Sequence, residues 1–252
     1  MSNFRFAIKK LNTVDSTNSY ALANIDMFTH NTLVYSDIQT SGRGRLNRKW
    51  ISDTPENLYC SVIIKPEQDY KKLPLVNFTQ LFCVILAEII NDLGVTPQIK
   101  WPNDILVNEK KIAGILSESS FTGSNFNGIV VGIGLNIGAL PKEALDREQA
   151  VTSLYDECGR EKSREEIIQK IAELYSEYYD LFCETGFSAI RDSYLSFFPF
   201  IGKEVSIENG TVNVTGNVVD VSPKGELIID NGSEGLQNIV LGDMVWKALS
   251  RA

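Results

Sequence analysis

Residues 78–94, "FTQLFCVILAEIINDLG", carry apolar side chains at helical spacing on every face and stop at a glycine. A helix that is hydrophobic all round has to be covered on all sides, and Gly94 offers a C-terminal stop. The segment therefore predicts a buried core helix enclosed by other layers. A chain of 252 residues, 43% hydrophobic, has the material to enclose it. The length suits one large domain with a small appendage. No uninterrupted apolar run approaches the ~20 residues of a membrane helix, and "MSNFRFAIKKLNTVDSTN" lacks the apolar centre of a secretory signal. A cytoplasmic protein is expected.

Strand patterns surround that helix. "NFRFAIKKLNTVDSTNSYALANI" reads as a strand, a turn at Asp15 to Thr17, and a short helix capped by Ser16 or Thr17. "TLVYSDI" and "LYCSVIIK" read as two more strands. "QIKWPND", "ILVNEKKIAGILSESS" and "FNGIVVGIGLNIG" form an antiparallel region, the middle run folding back near Asn108 to Lys110. From Ser163 an S-x-x-E capping box opens an amphipathic helix that closes at Gly186, and a second piece reaches Phe198. Its aromatic residues read as core. After Pro199, short strands alternate with NG, PKG and NG turns, which predicts a small β-barrel. The domains expected are 1–198 and 199–252.

A net charge of −8 argues against a general binder of nucleic acid or anionic membrane, so positive charge must act locally. It is concentrated in "SGRGRLNRKW". Between Asp37 and Asp53 there is no acid, while Arg43, Arg45, Arg48 and Lys49 fall within seven residues. Gly42 and Gly44 are expected to adopt positive φ and turn backbone N–H groups inward, as anion-cradling nests require. Arginine forks suit phosphate or carboxylate, and Trp50 offers a flat face to a ring. A solvated basic loop or an RG-type RNA contact is the competing reading.

Gly114, Gly132 and Gly134 lie inside strand patterns, which suggests close approach of another group to the backbone; a bulge or tight helix packing is the alternative. Period two places Gly132, Gly134 and Asn136 on one face, a bare track on which a flat ligand would fit. Strict alternation sets Lys111 opposite Gly114 unless a bulge intervenes. "GIGLNIG" has the wrong spacing for a dinucleotide fold, and no Walker A motif occurs. "KWPND" contributes Lys100, Asn103 and Asp104; the carboxylate suits Mg²⁺ coordination or orientation of a base. His30, the single histidine, reads as an exposed bystander, and the four cysteines, without CxxC spacing, as reduced thiols with no role.

Taken in order, "DSTN", "QTSGRGRLNRKW", "KWPND", "KKIAGIL" and "GIGLNIG" resemble the biotin protein ligase family over residues 15–138. The resemblance implies an α+β catalytic domain, a mixed sheet with helices related to class II aminoacyl-tRNA synthetases, plus a C-terminal SH3-like barrel. It implies that ATP activates biotin to biotinyl-5′-AMP, which then acylates a lysine of a biotin carboxyl carrier protein domain of a carboxylase. By that resemblance Ser16, Thr17, Asn18, Gln39, Gly42, Arg43, Gly44, Arg45, Lys111, Gly114, Leu116 and Gly132 bind biotin. Arg43, Arg45, Arg48, Trp50, Asn103, Lys111 and Asn136 contact ATP or the adenylate. Lys111, Arg48 and Asp104 are the catalytic candidates: Lys111 bridges carboxylate and α-phosphate, and Asp104 orients the carrier lysine. Mg²⁺ arrives mainly on the ATP phosphates, with protein ligands undefined. Asn47 stands where many members have glycine, and asparagine tolerates a left-handed backbone. Only about a dozen residues precede "DSTN", so no operator binding is expected; the acidic charge balance speaks against a membrane partner, and the assembly is left open between monomer and homodimer. The rivals are a lipoate or octanoate protein ligase or transferase, and an RG-type RNA-binding protein.

Overall fold

The computed structural model describes residues 6–66, 71, 75–140, 150–159, 162–208, 213–233 and 235–246. Its larger sheet is built from β1 (Ala7–Val14), β2 (Thr32–Gln39), β3 (Leu58–Ile64), β4 (Gln98–Lys100), β5 (Asp104–Val107), β6 (Lys110–Thr122) and β7 (Asn125–Leu135). The order is β1-β2-β3-β7-β6-β5-β4. β1 and β2 run parallel and the other pairs antiparallel, so the sheet is mixed. A parallel pair needs a crossover, and α1 (Thr17–Ala23) lies on it.

The two faces carry different loads. One holds the main core, where Leu33, Val62, Ile64 and Val131 meet α2 (Phe78–Asp92) and α4 (Arg164–Thr185). Phe82 stacks on Tyr175 at 5.5 Å between centroids, and Phe78 meets Phe182 edge-on at 5.0 Å, so the aromatic stripe of α4 is core. Leu75–Asp92 has the length and hydropathy of a membrane span, contrary to the expectation that no stretch comes close, yet it packs as the enclosed helix. Gly94, at φ 81, ends it.

The opposite face holds a smaller cluster, Ala21 and Ile25 against Val34, Ile63 and Val130. Further along these strands the same face carries Ser61, Gly132 and Leu116, which stand in one cross-strand row. Gly134, Gly114 and Asp104 stand in the next. Large side chains thus hold α1 at one end of the face, while Ser61, Gly132, Gly134 and Gly114 leave a floor beside it.

Local rules account for the turns. Asn108 (φ 50) and Glu109 (φ 64) form the left-handed tip joining β5 to β6, as an asparagine-led two-residue hairpin favours. One register shift follows it: Ile105 pairs with Ala113 but Leu106 with Lys111, leaving Ile112 as an extra residue. That bulge answers the parity problem of Lys111 and Gly114. His30 is corrected: its Nδ1 accepts from the Lys65 amide at 3.0 Å and its ring lies 5.3 Å from Tyr179, so it anchors the end of β3.

Beyond α3 (Leu154–Cys158), α4 and α5 (Arg191–Ser196), the chain forms β8 (Glu204–Glu208), β9 (Asn213–Val221), β10 (Leu227–Asp230), β11 (Leu236–Ile239) and β12 (Asp243–Trp246). These make an antiparallel five-stranded sheet ordered β11-β10-β9-β8-β12. Gly225 (φ 80) and Gly232 (φ 74) turn the PKG and second NG corners; the first NG, at 209–210, lies outside the described residues. Its inner residues Val205, Ile207, Val218 and Met244 belong to the same apolar cluster as α2. Gln80 Nε2 and Trp101 Nε1 both donate to the Gly225 carbonyl, at 2.8 and 3.1 Å. The small sheet is therefore fastened beside the KWPND turn, and β12 reaches the floor.

Candidate functional site

The site begins where β1 ends. Asp15 Oδ1 accepts from the Ser16 amide at 2.7 Å, turning the chain, and Ser16 Oγ caps α1 by accepting from Ser19. This presents the first turn of α1 to the floor. Gln39 Oε1 accepts from the Thr17 amide (2.8 Å) and hydroxyl (3.1 Å), while its Nε2 donates to Ser52 Oγ at 2.8 Å. Ser61 Oγ donates to Asn18 Oδ1 at 2.6 Å, and Asn18 Nδ2 donates to the Leu116 carbonyl and to Glu118 Oε2 at 3.0 and 2.9 Å. Ser16, Thr17, Asn18 and Ser61 are buried. The cluster is preorganised, so a polar ligand head meets fixed partners.

The loop between β2 and β3 folds back on itself through Gly44 N–H to Arg48 carbonyl (2.8 Å) and Trp50 N–H to Gly42 carbonyl (3.0 Å). The expected glycine nest is corrected. Gly44 is extended (φ −122), Gly42 is absent from the positive-φ residues, and Leu46 takes the left-handed position at φ 52. Gly42 is needed for space, since a Cβ there would strike the Trp50 carbonyl oxygen and Ser52 Oγ.

Trp50 occupies the bare track. A Cβ on Gly134 would land in its indole, 2.6 Å from Nε1, and one on Gly114 would lie 3.1 Å from Cζ3. Gly132 receives Asn18 in the same way, so that glycine serves close helix packing. The flat group on this floor is the protein's own. Trp50 Nε1 is buried and has no hydrogen-bond acceptor within the protein.

Around the indole Lys111, Arg43, Arg45 and Arg48 each have an anionic partner. Lys111 Nζ lies 2.7 Å from Asp104 Oδ1 and 5.4 Å from the centre of the Trp50 ring. Arg43 is bidentate to Glu118, at 2.8 and 3.1 Å. Arg45 meets Asn103 Oδ1 at 3.0 Å and Asp243 Oδ1 at 3.0 Å, and Arg48 reaches Asp243 Oδ2 at 2.7 Å. Lys100 lies over the Trp246 ring at 5.1 Å, and burial holds its ammonium below the usual lysine range although Asp104 opposes the shift. Phosphate or carboxylate oxygens entering here would exchange with side-chain carboxylates already in place. No set of three histidine, cysteine or acidic side chains is grouped for a metal among the described residues, and both Asp104 and Asp243 are paired. A protein-built metal cage does not fit this donor set.

One pocket is lined by Ser16, Thr17, Asn18, Gln39, Arg43, Gly44, Arg45, Arg48, Trp50, Asn103, Asp104, Lys111, Gly114, Leu116 and Gly132. Two expected residues lie outside it. Gly42 lies within the loop against the Trp50 carbonyl and Ser52, and Asn136 is buried with Nδ2 donating to the Thr152 carbonyl at 3.0 Å, so it pins the chain segment beside Lys111. The sequence reading missed Ser52, Ser61, Glu118 and Asp243. A lone serine in the apolar run "LYCSVIIK" was a usable signal for Ser61; Asp243 had none.

Cys60 also lines the pocket, yet it is fully buried and burial pushes its thiol far above the ordinary cysteine range. Cys83 is raised by burial likewise. A thiol held neutral is a poor nucleophile. With an aromatic disulfide reagent under native conditions, Cys60 and Cys83 will stay unlabelled until the chain is denatured, while the half-buried Cys158 and Cys183 react first. Rapid native labelling of Cys60 would contradict this site.

Residues 11–136, half the chain, match the biotin/lipoate A/B protein ligase family. The bifunctional ligase/repressor BirA of Bacillus subtilis is 31% identical over 215 residues, covering 84% of this chain and 65% of that protein, so the chain spans about two thirds of that relative's length. The biotin–[acetyl-CoA-carboxylase] ligase of Paracoccus denitrificans is 29% identical, covering 92% of this chain and 97% of its own. Among solved structures, the biotin protein ligase from Aquifex aeolicus in complex with biotin and ATP superposes with a TM-score of 0.78 at 30% identity, covering 96% of this chain and 98% of that one.

Proposed function

The chain belongs to the biotin/lipoate A/B protein ligase family, and from that premise we propose that it is a biotin protein ligase. It condenses biotin with ATP to biotinyl-5′-AMP and then transfers the biotinyl group to a lysine of a carboxyl carrier domain. The observation that carries this reading is the site's division: a preformed neutral polar pocket at α1 adjoins a glycine floor on which Lys111 and the arginine loop converge. A ligand with a polar uncharged head and a carboxylate tail matches both halves.

In the first step a biotin carboxylate oxygen attacks the α-phosphorus and pyrophosphate leaves with the electrons of the broken P–O bond. Both reactants are anions, so positioned cations lower the barrier chiefly by offsetting repulsion and holding them in line. Lys111 stands between the pocket and the loop, released from Asp104 as the new anions arrive. Arg43 and Arg45 cover carboxylate and phosphate, Arg48 the phosphate, and Trp50 and Asn103 border the adenylate. In the second step the carrier lysine attacks the acyl carbonyl and AMP departs; Asp104, freed from Lys111, is placed to orient that amine. Mg²⁺ is assigned to the nucleotide phosphates, and none of these steps depends on a protein ligand to it.

The protonated Cys60 disfavours the transferase rival, which needs a thiolate, and the inward pairing of Arg45 disfavours an RNA-binding role. We assign residues 1–198 to the catalytic domain and 199–252 to an SH3-like barrel, a reading that the five-stranded antiparallel sheet supports. We place the protein in the cytoplasm. The test is exchange of labelled pyrophosphate into ATP with biotin, lipoate or octanoate supplied separately. Exchange with biotin alone is expected; exchange that follows lipoate or octanoate overturns the assignment.

A further inference from the structure

The loop over the site is held by a part of the chain about two hundred residues away in sequence. Asp243 opens β12, an edge strand of the small sheet, directly after Gly242 at φ 151. Its two carboxylate oxygens are divided between two arginines: Oδ1 is 3.0 Å from Arg45 Nη1 and Oδ2 is 2.7 Å from Arg48 Nη1. The Gly242 carbonyl accepts from both terminal nitrogens of Arg45 at 3.3 Å. One corner of β12 therefore offers a carboxylate and a carbonyl to one side of the loop, and the left-handed Leu46 turn lies between the two arginines it holds.

The burial of the partners differs in a way that assigns the roles. The Asp243 side chain is 13% exposed and Arg45 22%, whereas Arg48 is 66% exposed and meets Asp243 at its tip. The Asp243 Oδ2 contact with Arg48 is close but not aligned as a hydrogen bond, so charge holds it. Such a contact is readily exchanged for another anion, and an exposed arginine held only at its tip can turn toward one.

We propose that Asp243 is a positioning residue for the reaction: it latches the ligand-free loop through Arg45 and Arg48 and, once Arg48 has turned to phosphate, holds it through Arg45, so that the acyl-adenylate is retained until a carrier lysine arrives. β12 then contributes to intermediate retention without touching the reacting atoms. The inference rests on the proposed ligase function. A mixed anhydride is lost by hydrolysis or escape when its cover opens, so the latch governs retention more than formation.

The experiment uses the full chain and two variants, Asp243→Asn, which keeps shape and removes charge, and Asp243→Glu, which keeps charge. Thermal unfolding checks that each is folded. In the ligand-free protein, limited trypsin digestion reads cleavage after Arg43, Arg45, Arg48 and Lys49. Asp243→Asn is expected to be cut about tenfold faster than the parent, with Asp243→Glu close to the parent. With biotin and MgATP, biotinyl-AMP escape into the medium is followed after a chase, and Asp243→Asn is expected to release it about tenfold faster while pyrophosphate exchange changes less. Parent-like cleavage and release in Asp243→Asn overturns the latch. Equal impairment of the two variants also overturns it, because packing rather than charge would then be responsible. The digestion needs neither biotin nor ATP, so a parent chain that makes no adenylate sinks the ligase reading and leaves the loop measurement to decide the latch.

Discussion

Replacing Lys111 with alanine will lower biotin-dependent pyrophosphate exchange by about a thousandfold, the scale of losing a group that stabilises charge in the transition state. Two effects add. The ammonium that offsets repulsion between carboxylate and α-phosphate disappears, and Asp104, 2.7 Å from it in the parent, is left as an unpaired negative charge in the site. Transfer of biotin from chemically supplied biotinyl-AMP will fall less, because the condensation has then been bypassed. Arg45→Ala provides the contrast. It removes a loop contact with Asn103 and Asp243, so it will weaken biotin retention and let the intermediate leak while exchange persists at a reduced rate. Steady-state exchange, measured beside adenylate release, separates the two; comparable losses in both assays for both variants would rule out this division of roles.

Gly132→Ala should nearly abolish biotin binding. The added methyl would lie within 2.9 Å of Asn18 Nδ2 and collide with the rest of that amide. Asn18 cannot simply step aside, since Ser61, the Leu116 carbonyl and Glu118 each hold it. Either α1 moves off the sheet or the amide leaves the pocket. We expect biotin affinity, read by calorimetry, to fall at least about a hundredfold, with about 1–3 kcal/mol of stability lost to overpacking. Parent-like affinity would mean that Asn18 does not border the ligand.

Much of this architecture could be read locally. The all-round apolar pattern of residues 78–92 marked α2, and the serines at 16 and 163 marked helix starts, because capping and periodicity act within a few residues. The glycines on the β6–β7 track were legible as places of close approach. What approaches them was not: Trp50 and Asn18 arrive from loop and helix, and nothing near Gly134 specifies an indole. Leu46 in a left-handed turn defied residue preference, since the hydrogen bonds that close the loop set its backbone there. Asp243 was beyond reach because its meaning depends on β12 lying against a loop that begins near residue 40, a relation fixed only by docking of the small sheet.

The bulge at Ile112 has a wider consequence. Lys111 and Gly114 work on one surface only because an uncounted residue stands between them, so their partnership is encoded by length and not by chemistry. Substitution scans hold length constant and are blind to such information. A graft of "KKIAGIL" into another sheet would carry every side chain and still fail unless the host strand reproduced the slipped pairing.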